Sequence, residues 1–222
     1  ERLGQAGRLA IAVTGGPGGW CEHIARMWPV DAVVGENGAF YFQFEGGRLR
    51  KRFHDVDAVR AEKRGRLGAI AQRILVAVPG CALASDQAYR ETDLAIDYCE
   101  DVAPLPLDAA ERIAVLMREA GLAARISSIH VNGWFGGYDK LAMARVLFAE
   151  RFGTDLDAAN AQYAYAGDSP NDAPMFAFFE NSIGVANVAR FAGRLAAVPK
   201  YVTQGEAGAG FAELVSRLLG AR

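Results

Sequence analysis

Cysteine is scarce in this chain, and the scarcity narrows the field. Three thiols, Cys21, Cys81 and Cys99, in 222 residues are too few and too scattered for a disulfide framework or a thiolate zinc cluster. An excess of positive charge is also missing. Lys and Arg number 24 against 26 Asp and Glu, a formal net charge of -2, which leaves no basic footprint for nucleic acid or an anionic membrane. No apolar run reaches the length that spans a bilayer, and the first residues lack a signal peptide's layout, so the expectation is a cytoplasmic protein. Repeats of fixed period and low-complexity tracts are absent too. What remains is an ordinary globular composition, 51% hydrophobic and 23% charged, long enough for one large core or two modest ones.

Strands and helices alternate along the chain. Residues 8–14 are a continuous apolar run that stops at Gly15-Gly-Pro-Gly-Gly19, the pattern of a parallel strand buried on both faces and the loop at its carboxyl end. Residues 20–28 read as a short helix and 32–35 as the next strand, completing a strand, helix, strand crossover. From Ala39 the pattern changes. Residues 40–44 and 48–53 around Gly46-Gly47 predict a hairpin, 56–78 a charged helix, 93–98 a half-exposed strand, 107–120 an amphipathic helix and 126–131 another strand. Such a set covers an antiparallel sheet with helices on one face. Residues 39–131 are therefore expected to form a second domain, inserted into a first made of 1–38 and 132–222. The alternation then resumes with a helix over 139–152, a strand over 163–166, a helix over 175–179, a strand over 182–186, a flexible turn at 205–210 and a terminal helix over 211–219.

The chemistry concentrates in Gly167-Asp168-Ser169-Pro170-Asn171-Asp172, directly after a predicted strand. Two carboxylates at a strand's carboxyl end lie where open α/β sheets bind ligands, and they suit a divalent cation. Asn171 or Asp172 is placed to cap the helix that follows, and a plain solvated turn has the same composition. Two other stations share this placement. Thr14 can donate a hydroxyl hydrogen bond, and Gly15 and its neighbours let backbone N–H groups approach an anion, especially at the start of the helix at Trp20. Lys140 puts a compact positive charge at a helix start, against the macrodipole, at a cost of about 0.3–1 kcal/mol if exposed. A charge-assisted bond to phosphate, about 1.5–3 kcal/mol, is a reason for it to be there. Singly, each station also reads as a strand end, a turn or a surface lysine.

In this order, and split by an insertion, the stations resemble the haloacid dehalogenase superfamily of phosphatases, in the branch whose large α/β cap lies between the second and third motifs. Ala12-Val13-Thr14-Gly15 matches the second motif, Lys140 in Gly137-Tyr-Asp-Lys140 the third, and Gly167-Asp-Ser-Pro-Asn-Asp172 the fourth. Gly35-Glu-Asn-Gly-Ala-Phe40 resembles the lead into the cap, and Gly184-Val-Ala-Asn187 the strand and loop after the fourth motif. The resemblance covers nearly the whole chain. It implies a Rossmann-like α/β core with a parallel sheet and an inserted α+β cap of the C2B type. It also implies Mg²⁺ as cofactor and, as substrate, a small phosphorylated metabolite such as a sugar phosphate or a phosphoglycerate derivative. By this likeness Asp168 is a Mg²⁺ ligand with Ser169 beside it, Asp172 and Asn171 orient the cation's waters and Lys140, and Thr14 and Gly15 hold the phosphate. A phosphomutase is the alternative reaction, and a non-catalytic binding protein the alternative class.

Two departures qualify the likeness. The family's nucleophile is the first aspartate of an Asp-x-Asp pair at the end of its first strand, and the pairs here, Asp55-Val-Asp57 and Asp155-Leu-Asp157, follow no apolar strand and read as helix caps and exposed faces. The motif is expected ahead of Glu1. Gly16 stands where relatives commonly carry an arginine, which removes a bidentate phosphate contact. Within the cap, Arg90 and Asp93, with His130 and Asn132 near the return to the core, are the candidates for choosing the substrate. Each also reads as an ordinary ion pair or structural group. Trp134-Phe135 is expected to pack the hinge.

Overall fold

A computed structural model describes residues 1–220. The chain runs α1 (Arg2–Gln5), β1 (Ile11–Val13), α2 (Gly18–Met27), β2 (Ala32–Gly35), β3 (Phe40–Glu45), β4 (Arg48–Phe53), α3 (Asp57–Ala77), β5 (Ala82–Leu83) and β6 (Asp93–Asp97). It continues through α4 (Leu107–Glu119), β7 (Ala123–Ile126), β8 (His130–Trp134), α5 (Lys140–Phe152), β9 (Ala164–Gly167), α6 (Ala173–Phe178), β10 (Asn181–Gly184), β11 (Tyr201–Val202) and α7 (Ala207–Gly220). Two compact units result. One is Ile11–Met143, and the other joins Glu1–Ala10 to the chain from Ala144 onward.

In the Ile11–Met143 unit, β1 and β2 pair in parallel, Ile11 opposite Ala32, with α2 as their crossover. The predicted hairpin forms where expected but joins a different sheet from the one anticipated. β3 pairs antiparallel with β2, Val33 opposite Phe42, so that the order is β1-β2-β3-β4. Its alternation explains the placement. Phe40 and Phe42, stacked at 4.2 Å, turn one face of the hairpin into a cluster with Cys21, Ile24 and Ala25 of α2, and apolar burial at about 25 cal/mol per Å² rewards that seat.

The inserted residues build a second, antiparallel sheet, β5-β6-β8-β7. Its core joins Leu67, Ile70 and Ile74 of α3 to Ala110, Ile113 and Met117 of α4 and to Leu94 and Ile96 of β6. On α4 those positions recur at helical spacing and form the buried stripe. Ile113 is completely buried, so Ile113→Ala is expected to cost about 2–5 kcal/mol in urea unfolding, the range for an emptied aliphatic core site. Two expectations are corrected here. The single strand over 126–131 is two strands: Ser127 N donates to His130 O and His130 N to Ser127 Oγ, closing a turn that sets Ile126 opposite Val131. β6 is buried on both faces, because Asp93 and Asp97, which its alternation turned toward water, find partners inside the protein.

The other unit carries a parallel sheet of order β11-β10-β9, Asn181 opposite Ala164. Its terminal helix begins four residues before the sequence expectation and takes in part of the glycine-rich turn. Asn187 Oδ1 accepts the Ala207 N–H, and the Glu213 carboxylate accepts those of Gln204 and Gly205, so the turn is a capped helix start. Among the described residues β1 pairs only with β2, and β9 only with β10. Each strand that leads into a candidate site loop is thus a sheet edge. No helix among them is long and apolar enough to cross a membrane.

Candidate functional site

Thr14 follows β1 directly, its N–H donating to Val34 O. Gly16 N donates to Thr14 Oγ1 at 2.9 Å, so the hydroxyl accepts from its own loop and its proton is left to donate elsewhere. The start of α2 differs from the sequence reading. Gly18 N donates at 2.8 Å to Glu36 Oε1, a completely buried carboxylate, and is therefore not offered to an outside anion. The positive end of a helix is where a buried carboxylate costs least.

The turn at 36–38 ties these parts to Lys140. Glu36 and Asn37 have φ of +41° and +55°, and their N–H groups dock on Gly16 O and Thr14 O, each at 3.2 Å. Gly38, at φ +106°, lies so close to the Asp139 carbonyl that a Cβ there would sit 2.0 Å from its oxygen. Asp139 Oδ1 accepts the Ala142 N–H at 2.8 Å and caps α5. Lys140, its first residue, is buried. Gly15 lies against the Asn37 side chain, so Thr14, Gly15 and Lys140 are built around one turn. Glu36 escaped the sequence reading, although a carboxylate between an apolar strand and an Asn-Gly turn was its signal.

Three of the cap candidates, Arg90, Asp93 and Asn132, are spent on one another and on the neighbouring chain. Arg90 Nη1 donates to Asp93 Oδ1 at 3.0 Å and to Gly15 O at 2.9 Å, while Nε and Nη2 donate to Asp86. The side chain is 2% exposed. Burial works against its charge, but Asp93 and Asp86 outweigh it and hold the guanidinium more firmly protonated than usual. Asn132 Nδ2 donates to Asp93 Oδ2 at 3.0 Å, and it sits in β8 of the cap sheet, not at a return to the core. His130 Nε2 lies 2.8 Å from Glu100 Oε2. Trp134 packs as expected: its Nε1 donates to Tyr138 O at 3.2 Å and its ring stacks on Tyr138 at 5.9 Å.

In the other unit β9 leads into the acidic loop, where the two aspartates divide their work. Asp172 is turned inward. Its Oδ1 accepts the Tyr165 hydroxyl at 2.7 Å, and its Oδ2 accepts the N–H groups of Asp168 and Ser169 at 3.0 and 3.2 Å. Burial and then the Asp172 charge push the Tyr165 hydroxyl well above its ordinary pKa, so it stays a donor. Gly167 permits the arrangement, since a Cβ there would come within 2.6 Å of Asp172 Oδ2. Ser169 Oγ donates to Asn171 Oδ1 at 2.6 Å, and both residues are buried. Asp172 opens α6 by position, yet its side chain makes no cap bond there; it closes a capping box with Ser169 one turn earlier. Asp168 is the partly exposed member, and its Oδ2 accepts from Asn187 Nδ2 at 2.8 Å. Asn187 was read as part of a loop, without a role. It joins Asp168 to the start of α7.

This donor set suits Mg²⁺. The groups facing the loop are oxygens, and Mg²⁺ keeps most of its waters while using one or two carboxylates and substrate phosphates. Among the described residues no three His, Cys, Asp or Glu side chains form a group that could hold a metal ion. The two other aspartate pairs lie in ion pairs and turns rather than as helix caps, α3 having no side-chain cap bond. Asp55 is held by His54 and Lys63, Asp57 by Arg60 in the first turn of α3, and Asp157 by Arg145. Asp155 Oδ1 accepts the Asp157 N–H at 3.0 Å.

No family model and no curated protein matches the chain. Solved structures do. A Thermoplasma acidophilum protein superposes with a TM-score of 0.68 at 17% identity, covering 98% of this chain and 85% of that one. A sucrose-phosphatase from Synechocystis, determined with sucrose and phosphate, gives 0.66 at 15% identity, over 97% and 87% of the two chains. A sugar phosphatase of subclass IIB of the haloacid dehalogenase superfamily gives 0.62 at 12% identity, over 99% and 88%. At such identities the likeness speaks for architecture, and with the motif loops lying at strand ends as described, the chain has the haloacid dehalogenase fold.

Proposed function

We propose that this protein is a Mg²⁺-dependent phosphatase that hydrolyses a phosphate monoester of a small metabolite of the sugar phosphate or phosphoglycerate kind. The observation that carries the reading is the division of labour in the loop after β9, where Asp172 is consumed in holding the loop and Asp168 is presented at a parallel strand's carboxyl end. The fold neighbours support the substrate class, two of them being a sucrose-phosphatase and a sugar phosphatase. Asp168 would hold the cation, with Asn187 fixing the carboxylate and Asn171 and Asp172 shaping the loop. When bound, Mg²⁺ supplies charge that offsets the repulsion between an anionic nucleophile and an anionic ester. Thr14 donates its hydroxyl proton to a phosphate oxygen, and Lys140 adds a positive charge toward it. The free thiols Cys21, Cys81 and Cys99 suit a reducing compartment, the cytoplasm.

Asp168→Asn in the intact protein is expected to weaken Mg²⁺ binding at least about tenfold by calorimetry and to remove most phosphate release from a panel of sugar phosphates. Unchanged Mg²⁺ affinity together with unchanged phosphate release would overturn the assignment.

A further inference from the structure

Glu36 has no part in the reaction just described, yet it is among the most constrained side chains in its unit. Its carboxylate accepts four hydrogen bonds from two segments: Gly18 N at 2.8 Å on one, and Glu91 N at 2.8 Å with Thr92 N and Oγ1 at 2.7 and 2.6 Å on the other. Gly18 opens α2, directly after the loop that carries Thr14. Glu91 and Thr92 lead into β6 and follow Arg90, which itself donates to Gly15 O. The two segments are also in van der Waals contact, since a Cβ on Gly18 would lie 2.9 Å from Glu91 Cγ. The backbone of Glu36 is at φ +41°, a conformation that costs a residue with a side chain and persists where its surroundings over-determine it.

We propose that Glu36 is a positioning residue, a latch whose ionised carboxylate fastens the segment Glu91–Thr92 to the start of α2 and which loosens when the carboxyl takes up a proton. All four donors aim at carboxylate oxygens. A proton on either oxygen removes an acceptor and turns a hydrogen toward an N–H or O–H that already donates there.

The charged and titratable neighbours set the pH at which this occurs. Burial and then the Asp93 carboxylate push the Glu36 carboxyl up to about 7, against the bonds from Thr92, Glu91 and Gly18. Arg90 lies between Asp93 and Asp86 and pairs with both. From α2 comes Cys21, and after β8 Tyr138; burial raises both pKa values, so both stay neutral. Glu91, on the latched segment, pairs with Arg60 and Arg64 of α3. Glu36 is raised above its ordinary 4.5, so folding takes up a proton between that value and about 7. Its contribution to global stability therefore falls as pH rises through this window, while the latch bonds tighten. The opposite signs separate a latch from ordinary acid unfolding.

Hydrogen exchange followed residue by residue, corrected for the intrinsic pH dependence, is the test. In the unaltered chain the amides of Gly18, Glu91 and Thr92 are expected to gain about tenfold protection between about pH 5.5 and pH 8, while the β6–β8 ladder does not change. Glu36→Gln keeps the shape without the charge and is expected to give low protection of Thr92 at both pH values. Thr92→Val removes one donor and is expected to move the midpoint to higher pH. Protection in the unaltered chain that is the same at both pH values overturns the proposal, as does Glu36→Gln protection equal to the unaltered chain at pH 8. The measurement needs neither substrate nor Mg²⁺, so its failure is distinct from failure of the phosphatase reading.

Discussion

Replacing Gly38 by alanine is expected to cost about 4 kcal/mol of folding stability and to lower the melting temperature by roughly 8–16 °C for a chain of this size. Two costs add. The residue sits at φ +106°, where an L side chain is strained by about 1–3 kcal/mol. The new Cβ would also meet backbone that has no rotamer to escape into, 2.0 Å from Asp139 O and 2.2 Å from Asp139 C. Either the turn that carries Glu36 and Asn37 must retreat, or the start of α5 must. Lys140 moves with the second choice, so phosphate affinity is expected to fall in the molecules that remain folded. Gly137→Ala is the control, because its Cβ would meet nothing within 4 Å. Thermal unfolding of the two variants side by side checks the claim, and equal melting temperatures would show that the turn has slack.

Asp172→Ala is expected to be nearly as damaging, at about 3–5 kcal/mol, the cost of taking one partner out of a buried charged network. Truncation leaves the Tyr165 hydroxyl and the N–H groups of Asp168 and Ser169 without their acceptor, in a place where Tyr165 and Asp172 are both buried. Asp172→Asn is expected to cost less, about 1–3 kcal/mol, since one amide oxygen can replace one of the two carboxylate oxygens. Urea unfolding ranks the two. A Mg²⁺ titration of the alanine variant, run where it is still folded, is expected to show weakened binding even though the Asp172 carboxylate is occupied by Tyr165, Asp168 and Ser169, because the loop that carries Asp168 has lost its anchor. Full stability with full Mg²⁺ affinity in Asp172→Ala would show that the loop is held by something else.

Much of this was legible in the residues. The hairpin over 40–53 announced itself through alternating aromatics around Gly46-Gly47, and β2 through an apolar run ending at glycine. The hairpin's neighbour was not legible, because alternation tells which face is apolar and not which strand lies alongside. The strand predicted over 126–131 failed for a related reason: Ile126 and Val131 read as one apolar stretch until Ser127 closes a turn between them. At the site, the pair Asp168 and Asp172 stood out by type and spacing. Their roles did not, since these depend on the Tyr165 hydroxyl and on Asn187, which only folding brings to them. Arg90 and Asn132 looked available for a ligand because a sequence shows polar groups and not the partners that occupy them.

By itself, then, the sequence determined most of the longer strands and helices, the loops that follow β1 and β9, and the polar residue types those loops carry, because periodicity and turn chemistry are local. Tertiary structure alone decided that Asp172 is an anchor while Asp168 stays partly exposed beside Asn187, that Arg90 is an internal strut, and that Glu36 fills the start of α2. Those outcomes rest on hydrogen bonds between residues up to 75 positions apart, and a buried carboxylate or guanidinium takes its role from the partners that make its burial tolerable.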